Sequence, residues 1–514
     1  MKCVASWRGL FFCLGIAVWW LASVDFVFAQ PRAKVKLAVL QKNHAELHER
    51  YVLQLQELAL FCREKNLPEG VNEIRKYLTA PQGAMIKMVT LPAEFQPPLP
   101  AEMTPEEREW QTKLRFEREK YATELYKLSR RALESNYFGY AFDLVREIAS
   151  HHPDHEKARE LLGYVPYEKR WVTPYAKTMM LKGYVWNPQF GWIERKHEAR
   201  YLNGERLVDG RWMSKEKEAE IRRDFNKAWE IKTDHYLIKT NHSLERGVEL
   251  GQALEDFHEF FHQTFAGFFN EPEHLQKKFN GTAKAKSPAD PFQVNFYRTR
   301  EEYVARLKPH FPAIDVTNGI YLTTGQGVGR TAHFYHDPNG NHEATLYHEA
   351  THQLFYESHL QHRPIAEKGS FWIIEGIACY MESFRRDNGE FSIGDPQYIR
   401  FVGARANFIN SKYYVPLRDF TEMGMQAFQS APMLAKNYTQ ASGLAHFFMH
   451  YDGGRYRDAL VAHLAELYSN NARKRENPRG LDELTGESFT DLDQAYGDFL
   501  RDLAKDIAAA QVQP

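Results

Sequence analysis

The string His348-Glu349-Ala-Thr-His352 constrains this chain more than any other part of its sequence. An α-helix turns once every ~3.6 residues, so two histidines four positions apart project from one face and can grip a single ion. Glu349 points about a quarter turn away. It therefore stands beside the ion rather than on it, where a carboxylate can take a proton from water.

A hydrolytic zinc site needs three protein ligands and one open position for water. Glu375, within Trp372-Ile-Ile-Glu-Gly-Ile-Ala-Cys-Tyr-Met-Glu382, is the best third ligand. The chain from His352 to Glu375 is long enough to finish one helix, turn, and begin a second that crosses the first. One Zn2+ held by His348, His352 and Glu375 is the expectation, with Glu349 as general base. Cys379, four positions after Glu375, leaves two readings open: a fourth ligand that would lock the ion, or a small buried helix residue.

At these residues the chain resembles the gluzincins, the zinc peptidase superfamily of thermolysin and aminopeptidase N. Their second helix reads roughly W-x-x-E-G-x-A-x-Y-x-x-E. Trp372, Glu375, Gly376, Ala378, Tyr380 and Glu382 fit, the last Glu falling one place early. The resemblance implies that Glu375 ligates and that Glu382, two turns along the same face, is a carboxylate behind the ligands that orients them. Downstream, Tyr438-Thr-Gln-Ala is similar to the aminopeptidase-type Y-x-K-G segment, with Gln440 and Ala441 replacing its Lys and Gly. That implies an oxyanion role for Tyr438; His446 is the alternative donor, as in thermolysin-like members. No G-x-M-E-N segment precedes the zinc helix, where Arg330-Thr-Ala-His-Phe-Tyr-His-Asp337 stands instead. This puts aminopeptidase activity in doubt. The general arrangement is similar to gluzincin-like proteins of bacterial envelopes.

The N-terminus reads as a secretory signal, residues 1–29: a basic start, a 14-residue apolar run from Gly9 to Ala22, and small residues Val27 and Ala29 before the cut. That run is shorter than the ~20 residues a spanning helix requires, although retention as a signal anchor stays open. The expected location is secreted or periplasmic, in the cell envelope, with no stable membrane insertion after cleavage. Only Cys62 and Cys379 then remain, too few to staple the chain, so stability must come from packed cores. With 66 basic and 67 acidic residues the charge is balanced, which gives no electrostatic footprint for nucleic acid.

The predicted fold class is α+β. Residues 30–162 read as helical, with a seam of Leu37, Val39, Leu40, Leu47, Tyr51, Leu53, Leu55, Leu58 and Leu60, a proline-rich crossing at 91–100, a capped helix start at Thr104, and one hairpin similar to a tetratricopeptide unit. Residues 163–230 form an aromatic and glycine-rich β connector, with turns expected at Asn203-Gly204 and Asp209-Gly210. Residues 231–510 would form the two-lobed gluzincin-like domain, a mixed sheet with helices followed by a helical lobe. A strand around Ala332 and Phe334 is the expected place for an extended substrate to add on.

These expectations converge on peptide-bond hydrolysis of a peptide or protein substrate, with the front helices available to a protein partner. Two rivals stand beside it: a non-catalytic envelope binding protein with a structural metal, and another zinc hydrolase on the same fold. A structural zinc usually closes with four Cys or His ligands and has no use for Glu349.

Overall fold

The apolar seam of the first helix comes out narrower than its leucine content suggests. In α1 (Leu37–Glu64), Leu40, Tyr51, Leu55, Leu58 and Cys62 are buried, whereas Leu53 and Leu60 of the expected face lie in solvent. The structure, a computed structural model, describes residues 35–78, 85–283, 290–323, 329–337, 343–359, 365–430 and 432–512, with side chains as far as 509. The expected signal segment 1–29 lies outside the described residues.

A strand, β1 (Ile86–Val89), and the proline-rich crossing lead to α2 (Pro105–Glu134). There Thr104 and Glu107 cap each other's backbone N–H groups. The partner helix, α3 (Phe138–His151), completes the hairpin, and α1 lies against it with Tyr51 stacked on Tyr121 at 4.4 Å.

The aromatic connector is a run of three hairpins, each followed by a helical segment. They are β2 (Val165–Tyr167) with β3 (Arg170–Val172), β4 (Tyr184–Asn187) with β5 (Gly191–Glu194), and β6 (Glu205–Val208) with β7 (Arg211–Ser214). Trp171, Trp192 and Trp212 occupy the second strand of each, 21 and 20 positions apart, so the segment is an internal repeat. Asp209-Gly210 makes the expected turn with φ of 48° and 77°. Asn203-Gly204 does not: Asn203 ends the helix Glu198–Leu202, and Gly204 at φ 84° leads into β6.

A five-stranded sheet follows, made of β8 (Trp229–Lys232), β9 (Tyr236–Thr240), β10 (Phe292–Tyr297), β11 (Gly319–Leu322) and β12 (Thr331–Tyr335) in the order β11-β12-β10-β9-β8. The three inner strands run parallel and the two outer ones antiparallel to their neighbours. The helix α4 (Leu244–Thr264) joins β9 towards β10, and α5 (Glu343–Glu357) follows β12. Beyond it come α6 (Phe371–Met381), a hairpin of β13 (Arg385–Asp387) and β14 (Glu390–Ile393), α7 (Ile399–Ile409), α8 (Leu434–Gly454) and α9 (Phe489–Val512). The hairpin is a departure from the expected helical stretch: β14 pairs antiparallel with β1, closing a contact between Ile86 and Ile393.

The chain is α+β, and one continuous apolar core joins the sheet to α4, α5, α6 and α8. At its centre every residue of α6 is buried, as befits a helix apolar on all sides. Gly376 lets α6 approach α8, because a Cβ there would lie 2.6 Å from the Ala441 carbonyl oxygen. Among the described residues no helix is long and apolar enough to cross a membrane. Gly376→Ala is expected to destabilise the protein by about 1–3 kcal/mol through overpacking, read as a lower unfolding temperature. Gly486→Ala, where nothing lies within 4 Å, serves as the control and tests only the positive φ.

Candidate metal centre

Helix α5 carries His348 and His352 on one face, as their spacing requires, and their Nε2 atoms lie 3.2 Å apart. The crossing helix α6 brings in Glu375, whose Oε2 is 3.6 Å from His348 Nε2 and 3.8 Å from His352 Nε2. Four ligands placed tetrahedrally at ~2.0–2.1 Å from zinc would be ~3.4 Å apart. The three protein atoms thus already have nearly that spacing, and the donor set of two imidazoles and a carboxylate suits zinc. Both imidazoles and Glu375 keep a little solvent exposure, 11–20% of the side chain, so the site can be reached.

Glu349 is not part of the triplet. Its Oε2 accepts the backbone N–H of Tyr321, on β11, at 2.8 Å. Burial pushes its carboxyl up to about 7, against the pull of His348 and of the Tyr321 N–H. A carboxyl in that range is poised to exchange a proton near neutrality.

Behind His348, Nδ1 meets Glu382 Oε1 at 2.9 Å. Glu382 is gripped in turn by Arg400 through Nε (2.5 Å) and Nη2 (2.6 Å), and by the Tyr398 hydroxyl (2.9 Å). Burial alone would raise the Glu382 carboxyl, but the bonds from His348 and Arg400 outweigh it and hold it down to about 2. The carboxylate therefore fixes the His348 ring and points its Nε2 at the triplet. Burial lowers His352 to about 4, keeping it neutral, while in His348 the bonds to Cys379, Glu375 and Glu382 overcome burial and raise it.

Cys379 is buried, free, and groups with His348 and Glu382 rather than with the triplet, so the fourth-ligand reading of it does not hold. Tyr438, half-buried on α8, has its ring 5.2 Å from Phe428. Burial, then Glu375 and Cys379, push its hydroxyl upward. His446 is committed elsewhere: it is buried, its ring stacks on Phe401, and its Nε2 donates to the Gly394 carbonyl at 3.0 Å.

Ala332 and Phe334 do not fill the expected substrate role. Both are buried, and β12 is paired on both sides, with β11 and with β10. Among the described residues the edge strand on this side of the sheet is β11, the strand that touches Glu349. Arg400, Tyr398 and the Tyr321 N–H carry no sequence signal, being one arginine, one tyrosine and one amide among many. A second H-E-x-x-H string, His258-Glu259-Phe-Phe-His262, lies in α4, and the pattern alone does not rank the two. Among the described residues only the 348–352 string has both of its histidines grouped with a carboxylate from a crossing helix.

Residues 342–471 match a family described as "Protein of unknown function (DUF1570)". That span holds the triplet, Glu349, Glu382, Arg400 and Tyr438. No match was found among curated proteins.

Glu382 has a folded pKa below its ordinary value of 4.5, so its ionised form stabilises the fold above that pH, and this contribution disappears as pH falls towards about 2. Arg400→Leu should lower the unfolding temperature at pH 7 and flatten its decline between pH 4.5 and 2, since the carboxylate loses its bidentate partner. Parallel slopes for the two proteins in a melting series against pH would count against this pairing.

Proposed function

We propose that this protein is a zinc-dependent peptidase of the gluzincin kind, exported from the cell, with a sheet-bearing lobe ending in α5 and a helical lobe beginning at α6. The observation that carries the reading is the triplet of His348, His352 and Glu375 at 3.2–3.8 Å spacing with Glu349 beside it and outside it. The export part rests on the sequence of residues 1–29 alone.

When bound, a zinc ion held by His348, His352 and Glu375 supplies Lewis acidity toward a carbonyl oxygen and toward water. Glu349 takes a proton from the attacking water and returns it to the leaving amine nitrogen, so its near-neutral carboxyl serves both halves of the reaction. Glu382 and Arg400 keep His348 in the tautomer that presents Nε2. Tyr438 donates its hydroxyl to the negative charge that develops on the carbonyl oxygen. The outer edge of β11 offers backbone groups to an extended peptide next to Glu349, replacing the inner-strand position expected from the sequence.

Protein purified without a histidine tag should hold a metal ion that is lost when His348 or Glu375 is changed to alanine. Glu349→Gln should keep the ion and the fold yet abolish cleavage across a broad peptide library, since an amide cannot accept the proton. A mutant that cuts as well as wild type, or a metal-loaded wild type that cuts nothing, would overturn the mechanism.

Tyr438→Phe separates hydrogen bonding from packing. A fall in kcat of ~10²-fold with little change in KM or melting temperature is expected for the loss of one oxyanion donor. Near wild-type kinetics would assign the ring to the core against Phe428.

A further inference from the structure

The H-E-x-x-H string in α4 is surrounded by groups that the proposed reaction does not use. His235, in the turn between β8 and β9, stacks on His258 with ring centroids 3.7 Å apart. The stack runs on to His262, 4.1 Å from His258, and to Phe269, 3.8 Å from His262. Glu255, one turn before His258 on the same helix, braces the turn: it accepts the Thr233 hydroxyl and the His235 N–H, each at 2.6 Å, and meets His235 Nδ1 at 2.7 Å. One ligand atom from each of His235, Glu255 and His258 lies within 4.8 Å of the other two.

His258 is only 8% exposed, and its ring lies in the stack between those of His235 and His262.

We propose that His235, Glu255 and His258 form a second cation site, separate from the triplet on α5 and α6, that takes zinc or a similar borderline transition-metal ion. Two imidazoles and a carboxylate are the donors such ions prefer over magnesium or calcium. His235 is the exposed member, and its ring turns out of the stack to direct a nitrogen at the ion. The site is a clip, not a second hydrolytic centre. Glu259, which stands where a general base would be, is instead taken by the Tyr164 hydroxyl at 2.9 Å and by Gln263 Nε2 at 3.2 Å. Closing the clip pins the β8–β9 turn to α4, the helix whose Phe257 stacks on Tyr347 at 4.9 Å, next to His348.

The test is a Co2+ titration of the full untagged chain, followed by visible absorption and by metal analysis after gel filtration. In a His348→Ala/His352→Ala background one equivalent should still bind, and adding His235→Ala should abolish it while circular dichroism stays unchanged. No binding in the background, or binding that survives His235→Ala, overturns the proposal. If the double-histidine variant does not fold, His235→Ala in the otherwise native chain decides the matter. Loss of one of two equivalents with peptide cleavage intact supports the clip; a metal content equal to wild type overturns it.

Discussion

Two carboxylates, one inside a helix that is buried on every side and one at its end, are what the rest of the molecule accommodates. Glu375 in α6 and Glu382 just after it are 8% and 6% exposed, in a segment otherwise made of Phe, Trp, Ile, Ala, Cys, Tyr and Met with one Gly. An unpaired charge there would cost several kcal/mol. Each is instead met by cationic or ligating groups delivered from other elements: the α5 histidines for Glu375, and His348, Arg400 and Tyr398 for Glu382. Arg400 sits at the start of α7, so that helix must dock for Glu382 to be satisfied. The apolar rest of α6 then anchors the pair, with Gly376 against Ala441 and Trp372 packed near Phe420 and Phe448.

The front half of the chain is fastened to this arrangement by a second buried charge group. Asp143 of α3 lies between Arg146 and Arg457, bonding Arg457 Nη1 at 2.7 Å, and the neighbour of Arg457, Asp458, accepts the Gly139 N–H at 3.0 Å. Both arginines are 8% exposed, so the pairing is desolvated and sensitive to the loss of any member. These bonds, with the pairing of β1 and β14, hold the helical hairpin on the helix that follows α8. The helical hairpin of α2 and α3 buries its apolar face against α1 and other neighbours.

Periodicity and capping residues, both local, were legible in the sequence. Thr104 announced the start of α2, and the strand expected around Ala332 and Phe334 is β12, directly ahead of the helix that carries His348 and His352. Short strands whose partners are remote were not legible. β1 and β14 find each other across about 300 residues, and neither has a local pattern that distinguishes it from loop. The twenty-residue repeat of the connector escaped because few of its residues recur, and even turns of the same positive-φ kind are made by different residues, Glu168-Lys169 in one hairpin and Asp209-Gly210 in another.

The sequence by itself determined that His348 and His352 share a face, because helical spacing is a property of the backbone alone. It also offered Glu375 as the third ligand, since the chain after His352 is long enough to turn and begin a crossing helix. The tertiary structure decided the rest. It ranked the two H-E-x-x-H strings, since only a crossing helix can add a ligand that the motif does not contain. Among the described residues it left β11 rather than β12 at the edge of the sheet, since strand order follows from non-local pairing. And it chose Arg400 from among the chain's basic residues, since which guanidinium meets a buried carboxylate depends on how helices dock, and no spacing in the sequence records that.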